Sequence, residues 1–273
     1  MLKKRIIPVI LLRNGLIVQS RNFNRYQALG SPTAAVQRLS NWSSDELIYI
    51  DISKEAHYDL NRDDLNHPRF ETIIDIIGLV SKKCFMPLTF GGGIRSVDDA
   101  RYRIKLGADK ITLNSAAIEN PALITQIAEE LGSQCVVISI DVKRDEKEIP
   151  FVYKRGKEAT DLRPVEFAQK IEKLGAGEIL LNSVNRDGTG TGFDIELINE
   201  VSKAVKIPVI ALGGAGSWED FEEVLDKTRA SAVAAANIFH HSENSVYNVK
   251  KHLFDKGYPV RKPMKLSSIN TNL

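Results

Sequence analysis

The sequence predicts a single closed (β/α)8 barrel, and three observations predict it. Eight short apolar runs have strand length, amphipathic stretches of helical period separate them, and a strand–glycine turn–helix unit recurs half a chain apart. Parallel strands need crossover connections, and helices supply them. Eight such units in about 250 residues match the size of a closed barrel better than that of a doubly wound open sheet.

The predicted strands run 5–12, 46–52, 86–90, 110–113, 136–141, 178–182, 208–212 and 231–236. Residues 96–106, 121–131, 164–174 and 195–205 carry apolar side chains at intervals of three and four, the mark of a helix with one buried face. Short extra strands are expected after the first strand, around 16–19, and after the fifth, around 151–153. The barrel is placed at residues 1–260, with 261–273 as a loosely held tail that has little to bury.

Composition narrows the function. A hydrophobic share of 43% suits one large core, and a formal charge of +2 is too small to make nucleic acid or an anionic membrane the main partner. No apolar run approaches the roughly 20 residues that a membrane span requires. Lys3, Lys4 and Arg5 precede an apolar run, but no small-residue cleavage pattern follows, so the run reads as a buried strand in a cytoplasmic protein. Cys84 and Cys135 show neither metal-ligand spacing nor a disulfide framework, and no metal or cofactor is expected.

The repeat aligns residues 87–96, PLTFGGGIRS, with residues 208–217, PVIALGGAGS. Both units carry glycines where a strand ends, the position at which barrels of this kind hold ligands. Glycine lets backbone N–H groups approach an anion, and the helices starting at Ser96 and Ser217 add their positive ends. Gly92, Gly93, Gly213 and Gly214 are therefore candidate phosphate ligands, with Asn114 and Ser115 after the fourth strand and Ala236 and Asn237 after the eighth as further donors. Two such grips suit the two ends of an elongated bisphosphate. Tight turns and helix caps at Asn114 and Asn237 are the plainer readings.

Asp141 closes the apolar run 136–140, where an ionised carboxylate is costly unless bonded or used, so it is the candidate acid/base. Lys143 or Arg144 would pair with it under a purely structural reading. Asp51 and Asp187, also at strand exits, are candidate substrate contacts, although Asp187 has the plainer alternative of stabilising its own glycine-rich loop. At the opposite mouth Arg5, Glu46, Lys110 and Glu178 begin four strands. Composition alone favours solvated strand starts, with a ring of ion pairs as the alternative.

Together these residues resemble HisF, the cyclase subunit of imidazole glycerol phosphate synthase, over residues 1 to about 260. The segments 4–7, 107–110, 119–121, 140–144, 175–181 and 186–189 carry the likeness. The resemblance implies a HisH-like glutaminase as partner in a heterodimer, docked on the strand-start face near Asp109. It also implies an ammonia gate of Arg5, Glu46, Lys110 and Glu178, and a phosphorylated small-molecule ligand at the other mouth. The family uses two carboxylates, at the ends of strands one and five. Here the second is Asp141 and the first position is Leu11, which cannot exchange a proton. Gln19 stands where the family typically has lysine, and Leu212 where it has serine. These departures resemble HisF-like paralogues of surface-polysaccharide gene sets. They imply a conduit passing ammonia to a separate sugar amidotransferase, with little cyclase activity. The alternative is a working histidine-pathway cyclase that has moved the lost role to Asp51 or Asp187. A HisA-type isomerase is a third reading, which Leu11 also weakens.

Overall fold

The computed structural model describes residues 2–21, 25–58, 69–240 and 242–264. In chain order its strands and helices are β1 (Arg5–Arg13), β2 (Leu16–Arg21), β3 (Arg25–Gly30), α1 (Pro32–Asn41), β4 (Leu47–Asp51), α2 (Ile73–Val80), β5 (Leu88–Gly91), α3 (Val97–Lys105), β6 (Lys110–Leu113), α4 (Ser115–Glu119) and α5 (Ala122–Leu131). They continue with β7 (Val136–Arg144), β8 (Pro150–Lys154), β9 (Glu158–Ala159), α6 (Pro164–Lys173), β10 (Glu178–Ser183), α7 (Ile195–Ala204), β11 (Val209–Leu212), α8 (Trp218–Lys227), β12 (Ala232–Ala235) and α9 (Val246–Asp255).

Eight of these strands pair in parallel in the order β1, β4, β5, β6, β7, β10, β11, β12, and β12 pairs again with β1. The sheet is thus a closed barrel of the TIM type, and its edges are removed by closure. Every expected strand is present, although Glu46, Met86, Pro87, Pro208 and Ser231 fall just before their ladders. The two prolines have no N–H to pair, but their carbonyls accept from Leu47 and Ile179.

Side chains alternate across each strand. One set packs outward under the helices and includes Ile6, Leu47, Phe90, Ile138, Ile179 and Val233. The other fills the barrel with Ile7, Val9, Ile48, Val137, Leu180, Ile210, Ala232 and Ala234. Where β1 and β7 outrun the barrel they fold back as antiparallel hairpins, β1–β2–β3 and β7–β8–β9. These are the extra strands expected from the sequence. The two hairpins place Leu11 opposite Val18 and Asp141 opposite Tyr153, so positions 11 and 141 are equivalent across the half-barrel repeat.

Helix ends obey local chemistry. Ser96 and Ser217 form capping boxes with Asp99 and Asp220, which fixes where α3 and α8 begin beyond the two glycine turns. α9 is fastened by Lys250, whose ammonium is buried against Asp45 at 2.8 Å and the Ser43 carbonyl at 2.7 Å. Lys4 forms an isolated parallel bridge with Val260 after α9. Most of the predicted tail, residues 265–273, lies outside the described residues. No helix among the described residues is long and apolar enough to cross a membrane.

Candidate functional site

At the strand-end mouth Asp141 projects into the barrel as the last inward residue of β7. It is 6% exposed. The Asn182 amide, its register partner on β10, donates to Oδ1 at 3.0 Å, and Asn114 Nδ2 approaches Oδ2 at 3.3 Å. Burial pushes the Asp141 carboxyl up to about 6, against the pull of the Asn182 amide and the Gly156 backbone. Neither basic neighbour pairs with it, contrary to the structural reading of the sequence. Lys143 lies over the Tyr153 ring, and Arg144 is drawn off by Asp194 and Glu196.

Asp187 belongs to the same electrostatic unit. Burial and then the Asp141 charge push its carboxyl up to about 7, with Ser20 opposing, and Oδ2 is buried without a hydrogen-bond partner. A carboxylate that only stabilised its loop would have that oxygen bonded. Asp51 is different, because Ser53 donates to Oδ1 from both N–H (2.9 Å) and hydroxyl, and Tyr58 donates to Oδ2 at 2.8 Å. Its oxygens thus hold three hydrogen bonds within the protein, of the roughly four a carboxylate can accept. Leu11 is half-buried beside Ile50 and has no polar function.

The two glycine turns match in detail. Gly92 and Gly213 have φ of 99° and 96°, and a Cβ at either would strike the backbone oxygen of Asp51 or Ser183. Gly214, at φ 112°, lies so close to Gly192 that a Cβ would sit 2.0 Å from its carbonyl oxygen. Only glycine fits such close approaches. The second turn lines a narrow pocket shared with Asp187, Leu212, Ala236 and Asn237. The side chains of Asn114 and Asn237 are spent on the protein. Asn114 binds the Ser139 carbonyl at 3.0 Å and makes no side-chain cap, while Asn237 donates to the Ser20 carbonyl at 2.6 Å. Backbone N–H groups and the Ser115 hydroxyl are what remain to meet an anion.

At the opposite mouth the four charges form a closed alternating ring. Arg5 reaches Glu46 at 2.6 Å and Glu178 at 2.5 Å, and Lys110 reaches the same two carboxylates at 3.0 and 2.9 Å. Both glutamates are buried. The expectation of solvated strand starts is therefore overturned, because all four residues point inward at the start of their strands and, among the described residues, pair their charges with one another. Burial alone would raise Glu46, but Arg5 and Lys110 hold its carboxyl below the usual range, and the two glutamates in turn raise Arg5 and Lys110. Asp109, next to the ring, is exposed, and one carboxylate oxygen caps the Leu88 N–H at 2.8 Å. Cys84 and Cys135 are free and half-buried.

Three side chains that bear on this site were not singled out from the sequence. Asn182 was reachable through strand register, since it ends the run that pairs with Asp141. Arg103 on α3 and Arg155 in the β8–β9 turn carried no local signal, because their positions follow from helix direction and hairpin geometry.

Known proteins agree with this architecture. Residues 5–245 match the family described as histidine biosynthesis protein. A Dehalococcoides mccartyi protein named imidazole glycerol phosphate synthase subunit HisF is 44% identical over 261 residues, covering 96% of this chain and 99% of the relative. Proteins of the same name from Lactococcus lactis subsp. cremoris and Alkaliphilus metalliredigens are 44% and 41% identical over 263 residues, covering 96% of this chain and 97% and 100% of the relatives. A barrel with paired glycine turns, matched along nearly its whole length at these identities, belongs to the HisF family of histidine biosynthesis proteins.

Proposed function

We propose that this chain is the synthase subunit of a glutamine-dependent imidazole glycerol phosphate synthase, working with a HisH-like glutaminase. Ammonia released by that partner enters past the ring of Arg5, Glu46, Lys110 and Glu178. It crosses the aliphatic barrel interior and meets a ribulosyl aminoimidazole carboxamide nucleotide whose phosphates rest on the two glycine turns. Asp141 and Asp187 exchange protons as ammonia adds to the substrate, the C–N bond to its aminoimidazole carboxamide nucleotide half breaks, that half leaves as a nucleotide, and the imidazole ring closes on the remaining glycerol phosphate half.

The observation that carries this reading is Asp187. Its unpartnered oxygen and its carboxyl pushed up to about 7 supply a second titrating group beside Asp141, where Leu11 offers none. General acid/base groups work best with a pKa near the operating pH. The names of the relatives favour this reading over the sugar-amidation role that Leu11 suggested. The test supplies purified chain with the nucleotide and ammonium chloride and follows imidazole glycerol phosphate. Turnover is expected, and Asp141→Asn or Asp187→Asn should lower it about 10²- to 10⁴-fold.

Leu11 favours a second reading, in which the barrel delivers ammonia to a separate sugar amidotransferase. Folded chain that stimulates a glutaminase partner yet makes no imidazole product from ammonium chloride would select it and reject the first.

A further inference from the structure

Beneath the first glycine turn lies a buried cation that touches no carboxylate among the described residues. Arg103, two turns into α3, is 5% exposed, yet it forms no ion pair among the described residues. Nη1 donates to the Asp99 carbonyl and Nη2 to the Gly92 carbonyl, each at 3.0 Å, and Nε has no partner. The acidic side chains that act on it are already engaged, Asp99 by the N–H groups of Arg95 and Ser96 and Asp51 by Ser53 and Tyr58. A guanidinium keeps its proton, and this one holds its charge against two backbone carbonyls, with the Asp99 and Asp51 carboxylates acting on it without a direct ion pair.

The contact with Gly92 also sets a direction. In a trans peptide the C=O and the following N–H point opposite ways, so holding the Gly92 oxygen turns the Gly93 N–H away from the guanidinium. A second arginine stands on the other side. Asn114 and Ser115 follow β6, which runs beside β5, and Arg155 donates from its N–H to Asn114 Oδ1 at 2.9 Å and from Nε to Ser115 Oγ at 3.3 Å. Its backbone is held at φ 52°, a conformation uncommon for arginine, and no carboxylate pairs with it among the described residues. The pocket at the second glycine turn contrasts with this. The Asp187 carboxylate lines it and no cationic side chain does, Arg186 beside the turn being held on the Thr191 and Gly192 carbonyls outside the lining.

We propose that the two anion subsites are unequal. Arg103 and Arg155 make the Gly92–Gly93 side the anchor for a doubly charged phosphate monoester, with Arg103 a positioning residue acting through Gly92, while the Gly213–Gly214 side holds its phosphate weakly through backbone groups. This rests on reading both glycine turns as phosphate sites, and it names the end of the ligand that is gripped first.

The full chain labelled with ¹⁵N, titrated with inorganic phosphate at low salt, reads the subsites separately through the amides of Gly92 and Gly93 and of Gly213 and Gly214. The first pair should saturate at about tenfold lower phosphate, the size expected of one charge-assisted hydrogen bond. Arg103→Leu should erase that preference and shift the Gly93 amide even without phosphate. Arg103→Lys should recover part of the affinity but not the amide position, because an ammonium lacks the planar fork. Arg155→Ala, at an exposed site, should weaken only the first pair, and it decides the matter if the Arg103 variants do not fold. Asp187→Asn should strengthen only the second pair. Equal saturation of both pairs in the unaltered chain, or first-pair affinity within about twofold after Arg155→Ala, would overturn the proposal. No turnover enters this readout, so its failure leaves the synthase reading intact, and failed turnover leaves the unequal subsites intact.

Discussion

Replacing Asp187 by asparagine should make the protein more stable at alkaline pH. The carboxyl is raised from 3.8 to about 7, by burial first and by Asp141 second. A carboxyl whose folded value lies above its unfolded one contributes stability that is full below the unfolded value and lost as pH rises through the folded one. At about 1.4 kcal/mol per pH unit, the rise corresponds to a penalty of about 4 kcal/mol once the group is ionised in both states. Asp187 is only partly buried, and part of the rise is repulsion shared with Asp141, so about half of that should be recovered by Asp187→Asn. The substitution breaks no bond at Oδ2, which has none. Urea unfolding followed by circular dichroism should therefore show a gain of about 2 kcal/mol at pH 8 that shrinks toward zero near pH 4. No gain at pH 8, or a gain independent of pH, would refute the claim that this carboxylate is held in a strained, desolvated state.

Because Asp187 supplies the second carboxylate, Leu11→Asp should change ammonia-dependent cyclase turnover of the purified chain by less than about tenfold; a rise of about 10²-fold or more in a folded variant would mean that Asp187 does not do the work of a carboxylate at position 11. Glu178→Gln leaves Arg5 and Lys110 with one carboxylate between them. It should cost about 2–3 kcal/mol in urea unfolding, less than a fully buried pair, because the two cations are 18% and 20% exposed and each keeps Glu46. Since Glu46 is held below the usual carboxylate range, its share of stability should be present above about pH 4 and lost as pH falls through that lowered value, and Glu46→Gln should flatten this acid limb. Gly214→Ala, facing the Gly192 carbonyl at φ 112°, should destabilise by more than about 1 kcal/mol, whereas Gly78→Ala in α2, with nothing within 4 Å, should stabilise by about 0.4–1 kcal/mol.

Features encoded locally were legible in the sequence. The strand runs, the periodic helices and the duplicated glycine turns each announce themselves within about ten residues, and all stand where they were expected. Charges at the strand starts were visible too. Their closure into a ring was not, because it depends on how four strands are staggered around the barrel. Asp51 stood out in the sequence by its place at a strand exit, and only the fold brings Tyr58 to its second oxygen. Arg103 reads in sequence as one more charge on an amphipathic helix; its buried contact with Gly92 appears only when α3 is laid against β5. Position 11 is non-titratable in the sequence, and in the fold its aliphatic side chain packs beside Ile50 at the strand-end mouth.

The contacts at Gly92, Gly213 and Gly214 divide the mouth into two materials. Main chain pressed against main chain forms a floor that admits almost no substitution, whereas the β2–β3 and β8–β9 hairpins form a rim in which buried residues such as Val18 and Val152 support less buried ones such as Gln19 and Arg155. A descendant of this chain acquiring a different ligand would be expected to rewrite the rim, at positions such as Gln19 and Arg155, and to inherit the floor untouched.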